Sequence, residues 1–215
     1  MTVDSLWTCR AGFERDLAEE LEQGRVLGPA LARGRGPKAG LPTFGRQGMP
    51  IAAQTGTKAD PCLSVVRELT GDGAFSLHVW VPDSDAGNQL TGLADQLGRD
   101  LRAGLGDRSA REVRADRLAA TEPLVQVAVV APDQAFIGAS PVGEVASNWP
   151  GGRARMKLPP GAPSRATAKV LEAISWIGIG PGPGETGPSH CSLVGRGSSR
   201  SIAPPWLRSS PRIGG

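Results

Sequence analysis

The stretch from Pro123 to Ala131 is rich in Val and nearly free of polar residues, and it constrains the fold more than any other part of this chain. A second apolar stretch, Ala135 to Ala139, follows it across Pro132-Asp133. Branched side chains favour extended backbone and a Pro-Asp pair favours a tight turn, so the two stretches are expected as a hairpin buried in a core. Ahead of it, Ala74 to Val81 alternates. Phe75, Leu77, Val79 and Val81 fall on one face and Ser76, His78 and Trp80 on the other, the pattern of a half-buried strand that Pro82 ends. His78 is expected at the surface or on a sheet edge, without chemistry. Between strand and hairpin, Leu90, Leu93, Leu97, Leu101 and Leu105 recur at spacings of three and four. That spacing predicts an amphipathic helix over Asn88 to Leu105, weakened at its end by Gly104 and Gly106. Strand, helix and paired strands in this order make an α+β layer.

Towards the N-terminus, Phe13, Leu17 and Leu21 recur every fourth residue while Glu14, Arg15, Glu19 and Glu20 take the other faces. A helix over Ala11 to Gln23 covering a small sheet is the expectation. From Gly24 to Gly40 the pattern dissolves into Gly, Pro, Arg and Ala, expected as a connecting loop. Pro141 to Pro163 is again irregular, and Trp149 within it is expected to pack between domains in preference to stacking on a base. Ser164 to Trp176 regains helical periodicity through Ala168, Leu171 and Ile174, with Ser164 as N-cap after Pro163.

Beyond Gly178 the chain has no apolar period, and disorder is expected there. The Gly178 to Gly184 run follows a helix, and its prolines remove the amides that would hold a phosphate, so it is not a nucleotide loop. Cys9, Cys62 and Cys191 are too scattered for a zinc knuckle or redox motif, which fits a reducing cytoplasm. His190 and Cys191 adjoin, but two ligands without companions make no metal site, and none is expected. The net charge of +3 permits an anionic partner without demanding one. No window approaches the roughly 18 uninterrupted apolar residues of a membrane span, so a cytoplasmic protein with no membrane partner is expected.

Four segments carry a resemblance. Cys9-Arg10-Ala11-Gly12-Phe13-Glu14 opens the acidic helix, Phe44-Gly45-Arg46-Gln47 precedes the α+β layer, and Val127 to Gly138 forms the hairpin. The fourth and most specific runs from Arg155 to Ala173 and includes Lys157, Pro159, Ala162-Pro163-Ser164-Arg165, Lys169 and Glu172. In this order they resemble the ribosomal RNA large subunit methyltransferase M family. The resemblance implies a ferredoxin-like N-terminal region, a THUMP domain that grips RNA, and the first helix of a Rossmann-type FtsJ-like catalytic domain. The corresponding expected segments are 1–42, 43–140, a linker over 141–163, 164–187, and a tail over 188–215. The implied activity is transfer of a methyl group from S-adenosylmethionine to the ribose 2'-oxygen of a cytidine in 23S ribosomal RNA. Lys169 matches the first lysine of the family's Lys-Asp-Lys-Glu tetrad, a group able to act on the hydroxyl proton. Arg155, Lys157, Ser164 and Arg165 are the implied RNA contacts, suited to holding phosphates without reading bases.

Two departures qualify the resemblance. Between Leu21 and Phe44 the chain is shorter than the family pattern, so strands are expected to be missing there. After Gly187 the family continues with the strand and turn Asp-Leu-Gly-Ala-x-Pro-Gly-Gly-Trp that binds S-adenosylmethionine, where this chain reads Pro188-Ser189-His190-Cys191. The rest of the tetrad is absent too, so the chain is expected not to bind the cofactor and to be inactive by itself. Back-translation of Ser192 to Trp206 in a shifted frame gives a Rossmann-like strand, so a deletion with a frameshift is the expected origin of the tail. The alternatives are a non-catalytic RNA-binding module and a degenerate gene product.

Overall fold

A computed structural model describes residues 3–39 and 41–154, together with Ser164, Thr167, Lys169 and Ala173. The chain divides into two compact units, Met1–Arg153 and Ala154–Gly215.

The first unit is α+β and is built on two four-stranded sheets. In the first sheet, β1 (Ser5–Thr8) is central, flanked by β3 (Leu31–Gly34) and β4 (Gln47–Pro50), with β2 (Arg25–Gly28) outside β3. Every pairing in it is antiparallel. Helix α1 (Glu14–Glu20) packs Leu17, with Leu21 just beyond its end, onto Trp7, Cys9 and Ala32. The segment expected as a loop and short of strands therefore supplies the hairpin β2–β3. Its turn holds Ala30 at a φ of 62°, a conformation for which sequence patterns look to Gly or Asn.

The second sheet follows β5 (Ala53–Thr55), helix α2 (Ala59–Thr70), β6 (Ser76–Trp80), helix α3 (Asp85–Gln89), helix α4 (Thr91–Leu105), β7 (Pro123–Ala131) and β8 (Gln134–Pro141). Its order is β5-β8-β7-β6, with β6 and β7 parallel and the rest antiparallel. The chain passes from one sheet to the other between Pro50 and Ala53. The Leu-spaced helix is present, but it starts only after a break at Leu90 that separates it from α3.

The Val-rich run is apolar on both sides because both faces of its sheet are covered. Val125, Val127 and Val129 face Cys62 and Val66 of α2 and Leu97, Leu101 and Leu105 of α4. On the other face Trp80, Ala128 and Phe136 meet Leu6, Leu31 and Met49 of the first sheet. The layers run helix, sheet, sheet, helices. Strand β6 is accordingly not half exposed, since Trp80 on its supposed polar side is buried between the sheets. Gly138 in β8 sits against the backbone of Pro50, and a Cβ there would collide with the Pro50 carbonyl.

Candidate nucleic-acid interface

The motif Phe44-Gly45-Arg46-Gln47 and the first half of the expected linker are joined. Gln47 is buried at the start of β4, and its Oε1 accepts from the Ser147 N–H at 2.9 Å. Thr8 donates its hydroxyl to the Gly151 carbonyl at 3.0 Å. Asp83 takes Arg46 on one oxygen at 2.7 Å and Arg153 on the other at 2.9 Å. Residues 141–153 are thus held within the first unit by these bonds. Trp149 is half-buried within them, its N–H bonded to Ser147 Oγ at 3.2 Å.

A groove of about 330 Å³ opens beside the β2–β3 hairpin, lined by Asp4, Gln23, Arg25, Arg33, Gly34 and Arg35. Arg25 and Arg33 are cross-strand partners. Like charges placed opposite one another destabilise a sheet by some tenths of a kcal/mol unless an anion sits between them. Asp4 is bonded to one of the three guanidinium groups: Arg33 Nε donates to it at 2.8 Å, and this bond, helped by the nearby charges of Arg33 and Arg25, holds the Asp4 carboxyl below its usual range and raises Arg33. The Arg33 guanidinium also lies 5.8 Å above the ring of Phe136. Arg25 and Arg35 are exposed, and Arg25 acts on Asp4 through its charge alone among the described residues. None of these arginines was singled out from the sequence, because they sit in the stretch that reads as a loop.

The expected site residues belong to the second unit. Lys169 is helical and exposed there. Ser164 is exposed and precedes the helix, its carbonyl accepting from the Thr167 N–H at 3.2 Å, as an N-cap position requires. Arg155, Lys157 and Arg165 lie outside the described residues.

His78 is on an edge strand, but its ring is largely enclosed. Burial, with Arg102 nearby, pushes its pKa down to about 4. Burial pushes the Cys9 thiol up to about 12 and raises Cys62 as well, so neither is a poised nucleophile. Among the described residues no cluster of three or more His, Cys, Asp or Glu could hold a metal ion. No helix among them is long and apolar enough to cross a membrane.

The described cavities do not fit S-adenosylmethionine. A cleft of about 80 Å³ lined by Leu27, Leu31, Ser84 and Val130 is too small for a nucleoside and has no carboxylate for a ribose. The larger groove presents three guanidinium groups against one committed carboxylate, an environment that repels a sulfonium cation.

Fold and surface together define an α+β protein with an arginine-lined groove. In sequence, the chain is 32% identical over 196 residues to the ribosomal RNA large subunit methyltransferase M of Stenotrophomonas maltophilia, covering 80% of this chain and 54% of that protein. It is 28% identical over 197 residues to the protein of the same name from Thauera aminoaromatica, covering 79% and 52% respectively. The chain is thus homologous to ribosomal RNA large subunit methyltransferase M proteins, as its motifs implied, and spans about half their length. No protein-family model matches it. Among solved structures, TrmN from Thermus thermophilus aligns at a TM-score of 0.42 and 17% identity over 83% of this chain and 55% of that one, too low to equate the two folds.

Proposed function

We propose that the chain is the RNA-gripping front part of a large-subunit ribosomal RNA methyltransferase. In this reading the first sheet with α1 is the ferredoxin-like region, the second sheet with α2 and α4 is the THUMP domain, and 23S ribosomal RNA is the partner. The carrying observation is the groove in which Arg25, Arg33 and Arg35 outnumber Asp4. Guanidinium groups in such an array hold phosphates, fixing the position of the strand without reading its sequence.

The activity proposed for the family is methyl transfer from S-adenosylmethionine to a cytidine 2'-oxygen. Lys169 would act on the hydroxyl proton, and Arg155, Lys157, Ser164 and Arg165 would guide the strand to it. In this reading the first unit contributes the RNA binding, and residues 188–215 do not carry the glycine turn expected after Gly187.

Filter binding of a ribosomal RNA fragment against salt tests the proposal. Binding should weaken steeply as salt rises, and replacing Arg25 and Arg35 together with Ala should flatten the log–log slope by about one to two. A wild-type slope near zero, or a double variant with an unchanged slope, would remove the groove from RNA binding.

A further inference from the structure

Large apolar side chains in the first unit are mostly sealed: Phe75 and Leu17 are 0% exposed and Phe136 is 1%. Phe13 and Phe44 depart from this, at 38% and 36% exposed. They come from two separate motifs, Phe13 from the residue preceding α1 and Phe44 from the loop before β4, and they meet at the surface. Their ring centroids lie 5.3 Å apart with planes inclined by 16°, a stacked pair.

The backbone holds the pair in place from both sides. The Phe44 N–H donates to Glu20 at the end of α1 at 3.2 Å. Phe13 closes a turn onto the Arg10 carbonyl at 3.1 Å, and Gly12 within that turn has a φ of 98°. Arg10, at the other end of the turn, is exposed. Two aromatic rings held nearly parallel and partly in water form a platform that an unpaired nucleobase can extend, and Arg10, in the same turn as Phe13, adds a cation to that surface. A pair serving only to anchor α1 would gain more by being buried, as Leu17 and Leu21 are.

We infer that Phe13 and Phe44 form a stacking site for an unpaired base of RNA, with Arg10 holding the adjoining phosphate. The inference rests on the RNA-binding function proposed above and adds to it a preference for single-stranded over duplex segments. Arg25 and Arg35 would supply the salt-dependent grip and the two rings the strand selection.

The test uses the full chain, with fluorescence anisotropy on a labelled single-stranded RNA and on a duplex of equal length. Phe13→Leu and Phe44→Leu each keep an apolar side chain of similar volume and remove the ring face. Each should weaken single-strand binding roughly five- to a hundred-fold, the size of one base–aromatic stack. Duplex affinity and the salt slope should stay within twofold of wild type, and Phe44→Trp should restore binding. Leu variants that hold the single strand as well as wild type would overturn the inference, as would equal losses on single strand and duplex. Unchanged RNA affinity with a loss of self-association on sedimentation would also overturn it, assigning the pair to a contact between copies of the chain. If wild type binds neither RNA at any salt, the RNA-binding function itself fails. If wild type binds with a steep salt slope and the Leu variants are neutral, only the stacking site fails.

Discussion

Gln126 is set into the Val-rich strand β7 at 0% exposure, and neither atom of its amide has a hydrogen-bond partner. It faces His78 across β6 and Gly138 across β8. Nδ1 of His78 is likewise buried without a partner. Protonating His78 would place a charge among unpaired dipoles and near Arg102, so burial first and Arg102 second hold its pKa at about 4 against 6.5 when unfolded. Between those values the unfolded chain binds the extra proton, and stability therefore rises with pH across that window. The contribution is complete above pH 6.5 and is lost as the pH falls towards 4, amounting to about 2 kcal/mol at pH 5. Urea midpoints at pH 7.5 and pH 5 should differ accordingly in wild type and converge in His78→Leu. An equal loss in the variant would assign the effect to carboxylates instead. The alternation of β6 correctly placed His78 opposite Leu77, but no pattern within one strand shows that a second sheet covers the other side.

Among the elements, α4 was legible because Leu93, Leu97, Leu101 and Leu105 recur every fourth residue, with Ala94 and Gly98 filling the same buried face. Helix α2 carries the same period in Cys62, Val66 and Thr70, all buried, but a cysteine and a threonine do not mark an apolar stripe. The hairpin β2–β3 was obscured for a different reason, since what holds it lies elsewhere in the chain. Glu14, the last residue of the Cys-Arg-x-Gly-Phe-Glu motif, accepts the Ala30 N–H at 2.7 Å and the Gly12 N–H at 3.0 Å. Burial raises the Glu14 pKa, but these donors more than offset it, and the net shift is downwards. Replacing the carboxylate in Glu14→Gln should cost about 1–2 kcal/mol at pH 7, the scale of a charge-assisted bond to backbone. A lowered carboxyl pKa contributes stability above the unfolded value of 4.5 and loses it as the pH falls through the folded one. The gap between wild type and variant should therefore narrow as the pH falls below 4.5. Equal unfolding midpoints at pH 7 would show that the turn does not depend on Glu14.

At the scale of the whole molecule, motif order identified the relatives correctly, while the layering came only from the structure. Each sheet shows one apolar face in its own sequence, and the contact of Leu6, Leu31 and Met49 with Trp80, Ala128 and Phe136 joins residues far apart in the chain. All three apolar clusters among the described residues are completed before Pro141, and the segment up to Arg153 is tied down by Asp83, Thr8 and Gln47. A polypeptide ending at Arg153 should then contain everything its folding requires. Expressed alone, it should unfold in one cooperative transition with a midpoint within a few degrees of the full chain. It should also keep the full chain's salt slope for ribosomal RNA, because Arg25, Arg33 and Arg35 all lie within it. S-adenosylmethionine at millimolar concentration should leave the melting temperature of the full chain unchanged, whereas saturation of a micromolar site would add about 4 kcal/mol of stability. A stable fragment with full RNA affinity and no cofactor shift would place RNA binding in the first unit. An unfolded fragment would show that the second unit supplies part of the core, and a clear thermal shift would show that the cofactor site is built from residues after Ala154.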